Sequence, residues 1–136
     1  MTRQRGFTLI ELMTVIVIIA ILSALAVAAY GSYITRSKVR AAESDLSALA
    51  LNLENELQRQ LSYSVHDTKS TAETEQDYPG WKPSQGADFT YTIQSTQTTY
   101  ELKAHGIDGS LAQCVLTLNN DEAQGAVSGC GAVTSW

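Results

Sequence analysis

The stretch RGFTLIELMTVIVIIAILSALAVAAY, residues 5–30, is an apolar run that contains a single carboxylate, Glu11. Residues 12–29 include no charged residue, no Pro and no Gly. A helix over residues 7–30 would be roughly 36 Å long, which is enough to cross a bilayer. Because a charged group in hydrocarbon is costly, Glu11 calls for an explanation that apolarity alone does not supply.

Two ordinary interpretations of this run leave Glu11 unexplained. A secretory signal peptide would account for the basic residues before the run and the small residues at 23–26, but ordinary signal-peptide apolar regions are only about 7–15 residues long. A plain anchor helix accounts for the length alone. A third possibility is cleavage between Gly6 and Phe7, which would remove a short basic leader, retain the apolar helix and create a new amine at Phe7.

The residues GFTLIEL at the start of the run, followed by the long apolar segment and Tyr30, resemble the N-terminus of type IV prepilins. The resemblance implies that residues 1–6 are a leader removed by prepilin peptidase after Gly6. It also implies that Phe7 becomes a methylated N-terminus and that Glu11 acts in filament assembly.

The resemblance extends over most of the chain. Residues 33–64 and the CVLTLNN segment at 114–120 are similar to the PilE-type minor pilins. Two residues depart from the family pattern, since Ala28 and Ala20 stand where members commonly have Pro and Gly. With Ala28 in place of a proline, the sequence contains no local helix breaker at that point.

Glu11 has a physical explanation if it pairs with a cation. A carboxylate in the membrane costs about 2.5–3.5 kcal/mol, so such groups usually mark function and have a partner. Cleavage after Gly6 would place an amine on Phe7, and the carboxylate of one subunit could pair with the amine of its neighbour. The alternative is that Glu11 only reaches back to the cytoplasmic headgroups.

Past the apolar run, residues 33–61 contain no Pro or Gly and predict a continuous amphipathic helix. One face is expected to cover a core and consists of Val39, Ala42, Leu46, Leu49, Leu53, Leu57 and Leu61. Charged residues, including Asp45 and Glu56, are expected on the flanks.

The side opposite the core face is also small or apolar. We name it the outer stripe, and it consists of Tyr30, Tyr33, Ser37, Ala41, Ser44, Ala48 and Leu51. Since an amphipathic helix needs only one buried stripe, the outer stripe indicates packing against other copies, where small residues permit close approach. The alternative is a slightly apolar surface, because scattered exposed Ala and Leu are normal.

The remainder of the chain predicts a loop and a sheet. Residues 62–88 are rich in polar and turn-forming residues, predict a long mobile loop and include Trp81 and Tyr78, which are expected to pin that loop to the sheet. Strands are predicted at 88–94, 98–104 and 113–118, with a weaker one at 125–130. A helix followed by an antiparallel meander predicts an α+β fold, with the sheet packed on the leucine face.

Cys114 and Cys130 are the only cysteines. If the last two strands pair around the NNDEAQ turn, Cys114 lies opposite Cys130 and Leu116 lies opposite Ser128, so that both cysteines share a face. A disulfide is then expected, which would require an oxidising compartment. Two free thiols in a cytosolic protein remain the alternative, and a zinc site is disfavoured because His66 and His105 lack close ligand spacing to the cysteines.

The charge balance bears on partners and orientation. Residues 31–136 carry seven Lys/Arg against thirteen Asp/Glu, so a direct nucleic-acid partner is not expected. The basic residues before the apolar run favour a cytoplasmic N-terminus, whereas Arg36, Lys38 and Arg40 beyond it favour the opposite orientation. The leader and the cysteines decide for a cytoplasmic N-terminus.

The Ser, His and Asp residues do not form part of a catalytic-nucleophile, phosphate-binding or metal-binding motif, so neither catalysis nor a cofactor is expected. The favoured function is a minor structural subunit of a type IV pilus, which resides in the inner membrane and then in the extracellular filament. The implied partners are other pilins, prepilin peptidase, the membrane and the assembly machinery. The alternatives are a type II secretion pseudopilin and a pilus-borne adhesin or DNA-uptake subunit.

The expected organisation has four parts. Residues 1–6 are the leader, residues 7–30 the membrane half of the helix and residues 31–61 its amphipathic half. Residues 62–136 supply the loop and the antiparallel sheet that complete the globular domain.

Overall fold

A computed structural model describes residues 6–126 and 129–131, except for the side chains of Ala28 and Ala29. It has an α+β fold, as the sequence predicts. The helices are α1 (Leu9–Gln60) and α2 (Thr71–Asp77), the strands are β1 (Phe89–Ser95), β2 (Tyr100–Gly106), β3 (Val115–Asn119) and β4 (Gln124–Ala126), and a 3₁₀ helix spans Gly109–Leu111. The four strands form one sheet in the order β1-β2-β3-β4, and each neighbouring pair is antiparallel.

The chain divides into two compact units that meet between Tyr33 and Ile34. In the first unit the large apolar side chains of α1 are exposed. By length and composition this part of α1 is sufficient to span a membrane. The backbone is helical at Ala28, which agrees with the absence of a proline there.

The core of the second unit lies between the leucine face of α1 and one face of the sheet. Val39, Leu46, Leu49 and Leu53 are fully buried there. Alternate residues of the strands complete this core, because successive strand side chains point to opposite faces of a sheet. They include Phe89, Tyr91, Ile93, Leu102, Ala104, Leu116 and Leu118. The predicted core face of the helix is therefore confirmed over residues 39–53.

The prediction that Leu61 belongs to this face is wrong. Helix α1 ends at Gln60, and the Leu61 N–H donates to the Leu57 carbonyl at 2.7 Å. Leu61 itself has a φ of 60° and is 88% exposed. A left-handed residue ends a helix and turns the chain away from the helix axis, so periodicity continued past the end of the helix misplaces this side chain.

The segment between α1 and the sheet is more ordered than the predicted long mobile loop. Ser70 caps α2 by accepting a hydrogen bond from the Glu73 N–H, and Glu73 in turn accepts one from the Lys69 N–H at 2.6 Å. This S-x-x-E pattern is the signature of a helix start. Thr74 is fully buried, and its hydroxyl donates to the Tyr91 carbonyl of β1 at 3.0 Å.

A buried carboxylate of α1, Asp45, holds the connecting segment in place. It is only 8% exposed, although the sequence predicts a charge on the helix flank. Its carboxylate accepts hydrogen bonds from the Ser84 N–H and the Gln85 N–H, each at 3.0 Å, and from the Tyr91 hydroxyl at 2.7 Å. Its carbonyl accepts one from Trp81 Nε1 at 2.9 Å, which joins the segment to α1. The predicted contact of Trp81 with the sheet is made by its ring, whose centroid lies 5.3 Å from that of Tyr91 in β1.

Glu56 provides a second such anchor three helical turns further along α1. It is 8% exposed and accepts hydrogen bonds from the Ser64 hydroxyl and from the Tyr78 hydroxyl, the latter at 2.8 Å. Burial is the largest single effect and works against its charge, but the hydrogen bonds from Ser64 and Tyr78 and the nearby His66 together outweigh it and lower the pKa of Glu56. Burial next to this carboxylate raises the pKa of Tyr78.

We predict that Asp45→Ala lowers the free energy of unfolding by about 3 kcal/mol, because it leaves several buried donors without an acceptor. Tyr91→Phe removes one of the donors and is expected to cost only about 1 kcal/mol. Leu61→Ala is expected to change stability by less than about 0.5 kcal/mol, since that leucine lies in solvent. Urea unfolding of a fragment beginning at Ile34 measures all three, and equal losses for Asp45→Ala and Leu61→Ala would contradict the anchor.

Candidate functional site

The peptide bond proposed for cleavage lies just before α1. Gly6, Phe7 and Thr8 have no regular secondary structure, and Phe7 is 84% exposed. Residues 1–5 of the predicted leader lie outside the described residues. The alternative cleavage region at residues 23–26 lies inside α1, where the peptide groups are engaged in helical hydrogen bonds. The segment at Gly6 and Phe7 can therefore adopt an extended conformation without unwinding a helix.

Glu11 caps the helix to which it belongs. Its Oε2 accepts a hydrogen bond from the Thr8 N–H at 2.9 Å and another from the Thr8 hydroxyl at 2.8 Å, while the Glu11 N–H donates to Thr8 Oγ1 at 3.3 Å. This reciprocal pairing is a capping box, and its T-x-x-E pattern can be read in the sequence at residues 8–11. The cost of a charge in the membrane does not predict this role of Glu11, whereas the T-x-x-E pattern does.

The capping box uses only one of the two carboxylate oxygens of Glu11. Both donors from Thr8 converge on Oε2, and no hydrogen bond from a described residue reaches Oε1. A carboxylate also suits the first turn of a helix, where unpaired N–H groups create a partial positive charge. Glu11 can therefore keep its cap and still offer one oxygen to an external cation.

The outer stripe is not covered by the chain's own body. In the first unit Tyr30 and Tyr33 are exposed. In the second unit Ser37, Ser44, Ala48 and Leu51 are exposed and Ala41 is half-buried. This face of α1 is thus available for contact with other molecules, while its leucine face is used by the core.

Most cationic side chains of the second unit are already neutralised. Four lysines have a carboxylate within 4 Å, and His66 lies 2.7 Å from Asp77. The four pairs are Lys38–Asp88, Lys69–Asp67, Lys82–Glu75 and Lys103–Glu101. Arg36, Arg40 and Arg59 have no carboxylate within 4 Å among the described residues, but the paired lysines add little to a cationic surface that phosphate backbones would attract.

The predicted disulfide is present between Cys114 and Cys130, with a Cα–Cα distance of 4.7 Å. The predicted strand register is wrong by two residues, because Leu116 pairs with Ala126. Strand β4 is also shorter than predicted, and residues 127 and 128 of the prediction lie outside the described residues. A shift of two residues keeps each side chain on the same face, which explains why the cysteines could still be paired correctly.

Two family models match the chain, and together they cover most of it. Residues 1–27 match a prokaryotic N-terminal methylation motif. Residues 28–132 match a family described as type IV minor pilin ComP, DNA uptake sequence receptor.

Individual relatives match over shorter segments. A fimbrial protein of Pseudomonas aeruginosa is 53% identical over 49 residues, which cover 36% of this chain and 32% of that protein. A type IV major alpha-pilin of Moraxella bovis is 52% identical over 48 residues, covering 35% of this chain and 30% of its own. A type IV major fimbrial protein FimA of Dichelobacter nodosus is 38% identical over 95 residues, covering 68% of this chain and 54% of its own.

The chain spans only about a third of the length of the Pseudomonas aeruginosa and Moraxella bovis proteins that it matches. No solved structure gave a significant match.

We predict that Cys114→Ser lowers the free energy of unfolding by roughly 3 kcal/mol, because the disulfide closes a loop of moderate length in the unfolded chain. The corresponding loss in Tm is roughly 10–20 °C for a domain of this size. Thermal unfolding of the fragment beginning at Ile34 measures the effect, and the parent fragment under reducing conditions should match the variant. A variant as stable as the oxidised parent would show that the bond contributes nothing to stability.

Proposed function

The chain belongs to the type IV pilin family, and from this premise we propose that it is a minor pilin stored in the inner membrane and assembled into a type IV pilus. In this proposal prepilin peptidase cleaves after Gly6, and Phe7 becomes the methylated N-terminus. The observation that carries the proposal is the outer stripe of α1, which the chain's own body leaves uncovered. Helix stacking between subunits would bury that stripe.

Several features support cleavage and membrane storage. The bond between Gly6 and Phe7 lies in non-helical, exposed backbone. The following part of α1 is apolar on all sides and unburied, which suits a helix surrounded by lipid or by other helices. The match of residues 1–27 to a methylation motif agrees with a modified N-terminus after the leader.

Glu11 would act as the docking group during assembly. After cleavage the N-terminal amine of each subunit carries a positive charge. A neighbouring subunit that arrives beside α1 could place its own N-terminal amine at the free Oε1 of Glu11. In an apolar environment an unpaired charge on either partner is costly, so the pair would favour one axial register of the two helices. Thr8 would retain Oε2 in the cap during this contact.

The assignment to the minor class rests on the model that matches residues 28–132, since its description names a minor pilin. The relatives named above as major pilins match over a minority of their own length or at lower identity, so they support the pilin family rather than the subunit class. The same names weigh against the type II secretion pseudopilin.

DNA uptake is the second candidate function. The family description names a DNA uptake sequence receptor, whereas the paired lysines and the acidic body oppose direct DNA binding. Salt-dependent retention of duplex DNA by purified protein would support the second candidate, because phosphate contacts weaken steeply with salt. Absence of retention at low salt would exclude it.

We predict that the subunit recovered from sheared filaments begins at Phe7 and carries one added methyl group. Intact-mass measurement decides this, because cleavage elsewhere gives a different mass. A mature chain that begins after residue 24 or 26, or an uncleaved chain in filaments, would overturn the proposed function. Comparison with secretion-system preparations from the same cells distinguishes a pilus from a pseudopilus.

We predict that Glu11→Gln reduces incorporation into filaments by about tenfold or more while the amount in the membrane stays unchanged, because an amide cannot form the ion pair. Thr8→Ala is the matched control, since it removes the two hydrogen bonds that the Thr8 hydroxyl contributes to the cap and keeps the charge of Glu11. It should retain incorporation within about twofold, because a lost cap costs only about 1 kcal/mol. Immunoblots of sheared filaments at equal membrane levels give the comparison, and equal losses for the two variants would mean that Glu11 acts only through its cap.

A further inference from the structure

Charge is unevenly distributed along the sequence of the second unit and the three residues that precede it. Residues 31–42 contain three Lys/Arg and no Asp/Glu, whereas residues 43–136 contain four Lys/Arg and thirteen Asp/Glu. The cationic segment thus directly follows the apolar run. It also contradicts the usual preference for few cations on the non-cytoplasmic side of a membrane, so it calls for a function.

Two of these cations remain open to solvent. Arg36 and Arg40 are both exposed and are four residues apart, which places them on one face of α1. No carboxylate of a described residue lies within 4 Å of either guanidinium, whereas Lys38 between them is bound to Asp88 at 2.6 Å. Glu43 is the nearest acid along the helix, and burial raises the pKa of Glu43 while Arg40 opposes that shift.

A loop of the sheet region lies at the same end of the second unit, where it contacts Thr35 and Asp88. The hydroxyls of Ser110 and Thr35 are hydrogen-bonded at 3.0 Å, and the Ile107 N–H donates to the Asp88 carbonyl at 2.9 Å. Ile107 is 45% exposed and adds an apolar side chain. We name this area the basal surface, and it consists of Arg36, Lys38, Arg40, Ile107 and Ser110. Asp108 is the only acidic residue of this loop, residues 107–114, and no ion pair joins it to a described residue.

Chain connectivity limits how far Thr35 can lie from the apolar run. Thr35 is five positions after Tyr30, and five residues span at most roughly 17 Å even when fully extended. Electrostatic attraction acts over about 10 Å at ordinary ionic strength. If the apolar run lies in a bilayer, Arg36 and Arg40 are therefore tethered within reach of its headgroups, and the tether makes their effective concentration there high.

We propose that the basal surface docks onto anionic phospholipid headgroups while the subunit is stored in the membrane. The inference rests on the membrane storage proposed above. Arg36 and Arg40 bind headgroup phosphates, for which the planar guanidinium is well suited. Ile107 contacts the apolar boundary beneath the headgroups, and the acidic remainder of the unit is repelled from the same lipids. Docking thus holds the subunit in one orientation before it is extracted for assembly.

The test uses the full-length chain reconstituted into vesicles of phosphatidylcholine, with or without phosphatidylglycerol. A fluorescent dye is attached at Ala112→Cys beside the basal surface or at Thr98→Cys. Thr98 lies in a turn whose Gln97 carbonyl accepts a hydrogen bond from the Tyr63 N–H, just beyond the end of α1. The end of α1 is roughly 38 Å along the helix axis from Arg36. Quenching by headgroup-spin-labelled lipid reports how close each dye is to the bilayer surface.

We expect phosphatidylglycerol to increase quenching at position 112 and to leave position 98 unaffected. The double variant Arg36→Gln with Arg40→Gln should lower the ratio of docked to undocked protein by about 30-fold, since each cation near an anionic surface contributes about a factor of five. Lys69→Gln with Lys82→Gln is the matched control, because it removes the same charge from another part of the unit and should keep the quenching. High salt should abolish docking.

Each other outcome overturns a specific part of the proposal. Failure of the chain to float with vesicles after alkaline extraction would contradict membrane storage itself. Stable insertion with quenching that does not depend on lipid charge or on the arginines would refute docking alone. Variants at Arg36 and Arg40 that keep full quenching but lose incorporation into filaments would show that the arginines bind a neighbouring subunit rather than lipid.

Discussion

The leucine face of α1 is the constraint on which the second unit depends. Strands β1, β2 and β3 place alternate side chains against this face, and the buried residues of the helix and these strands form one core. Since the sheet occupies one side of the helix, the connecting segment has to follow the flank. Asp45 and Glu56 hold it there by accepting hydrogen bonds from the Ser84 N–H and from the Tyr78 hydroxyl, respectively. The outer stripe remains uncovered as a consequence.

Features with a repeating pattern could be predicted from the sequence. The buried leucines of α1 recur every three or four residues, and the strands alternate between buried and half-buried positions. Because this spacing reflects which side chains are buried, the α+β class and the core face of α1 could be predicted correctly. The disulfide was also found because the parity of strand side chains survives a register error of two residues.

Features that depend on one tertiary contact could not be predicted in this way. Asp45 and Glu56 are charged, so periodicity places them on a solvated flank, and only the donors of the distant connecting segment make their burial favourable. Leu61 fits the period but lies beyond the end of the helix. The helix starts at Thr8 and Ser70 differ from these cases, since the T-x-x-E and S-x-x-E patterns can be read directly in the sequence.

If subunits stack through their helices, the outer stripe of α1 is a contact surface between them. A photo-crosslinking amino acid at Ala48 is the sharpest test, because Ala48 is exposed on that stripe. In cells that assemble filaments, we expect irradiation to join this chain covalently to other pilins in the sheared fraction. Incorporation at the parental level without any pilin crosslink from this position would contradict it.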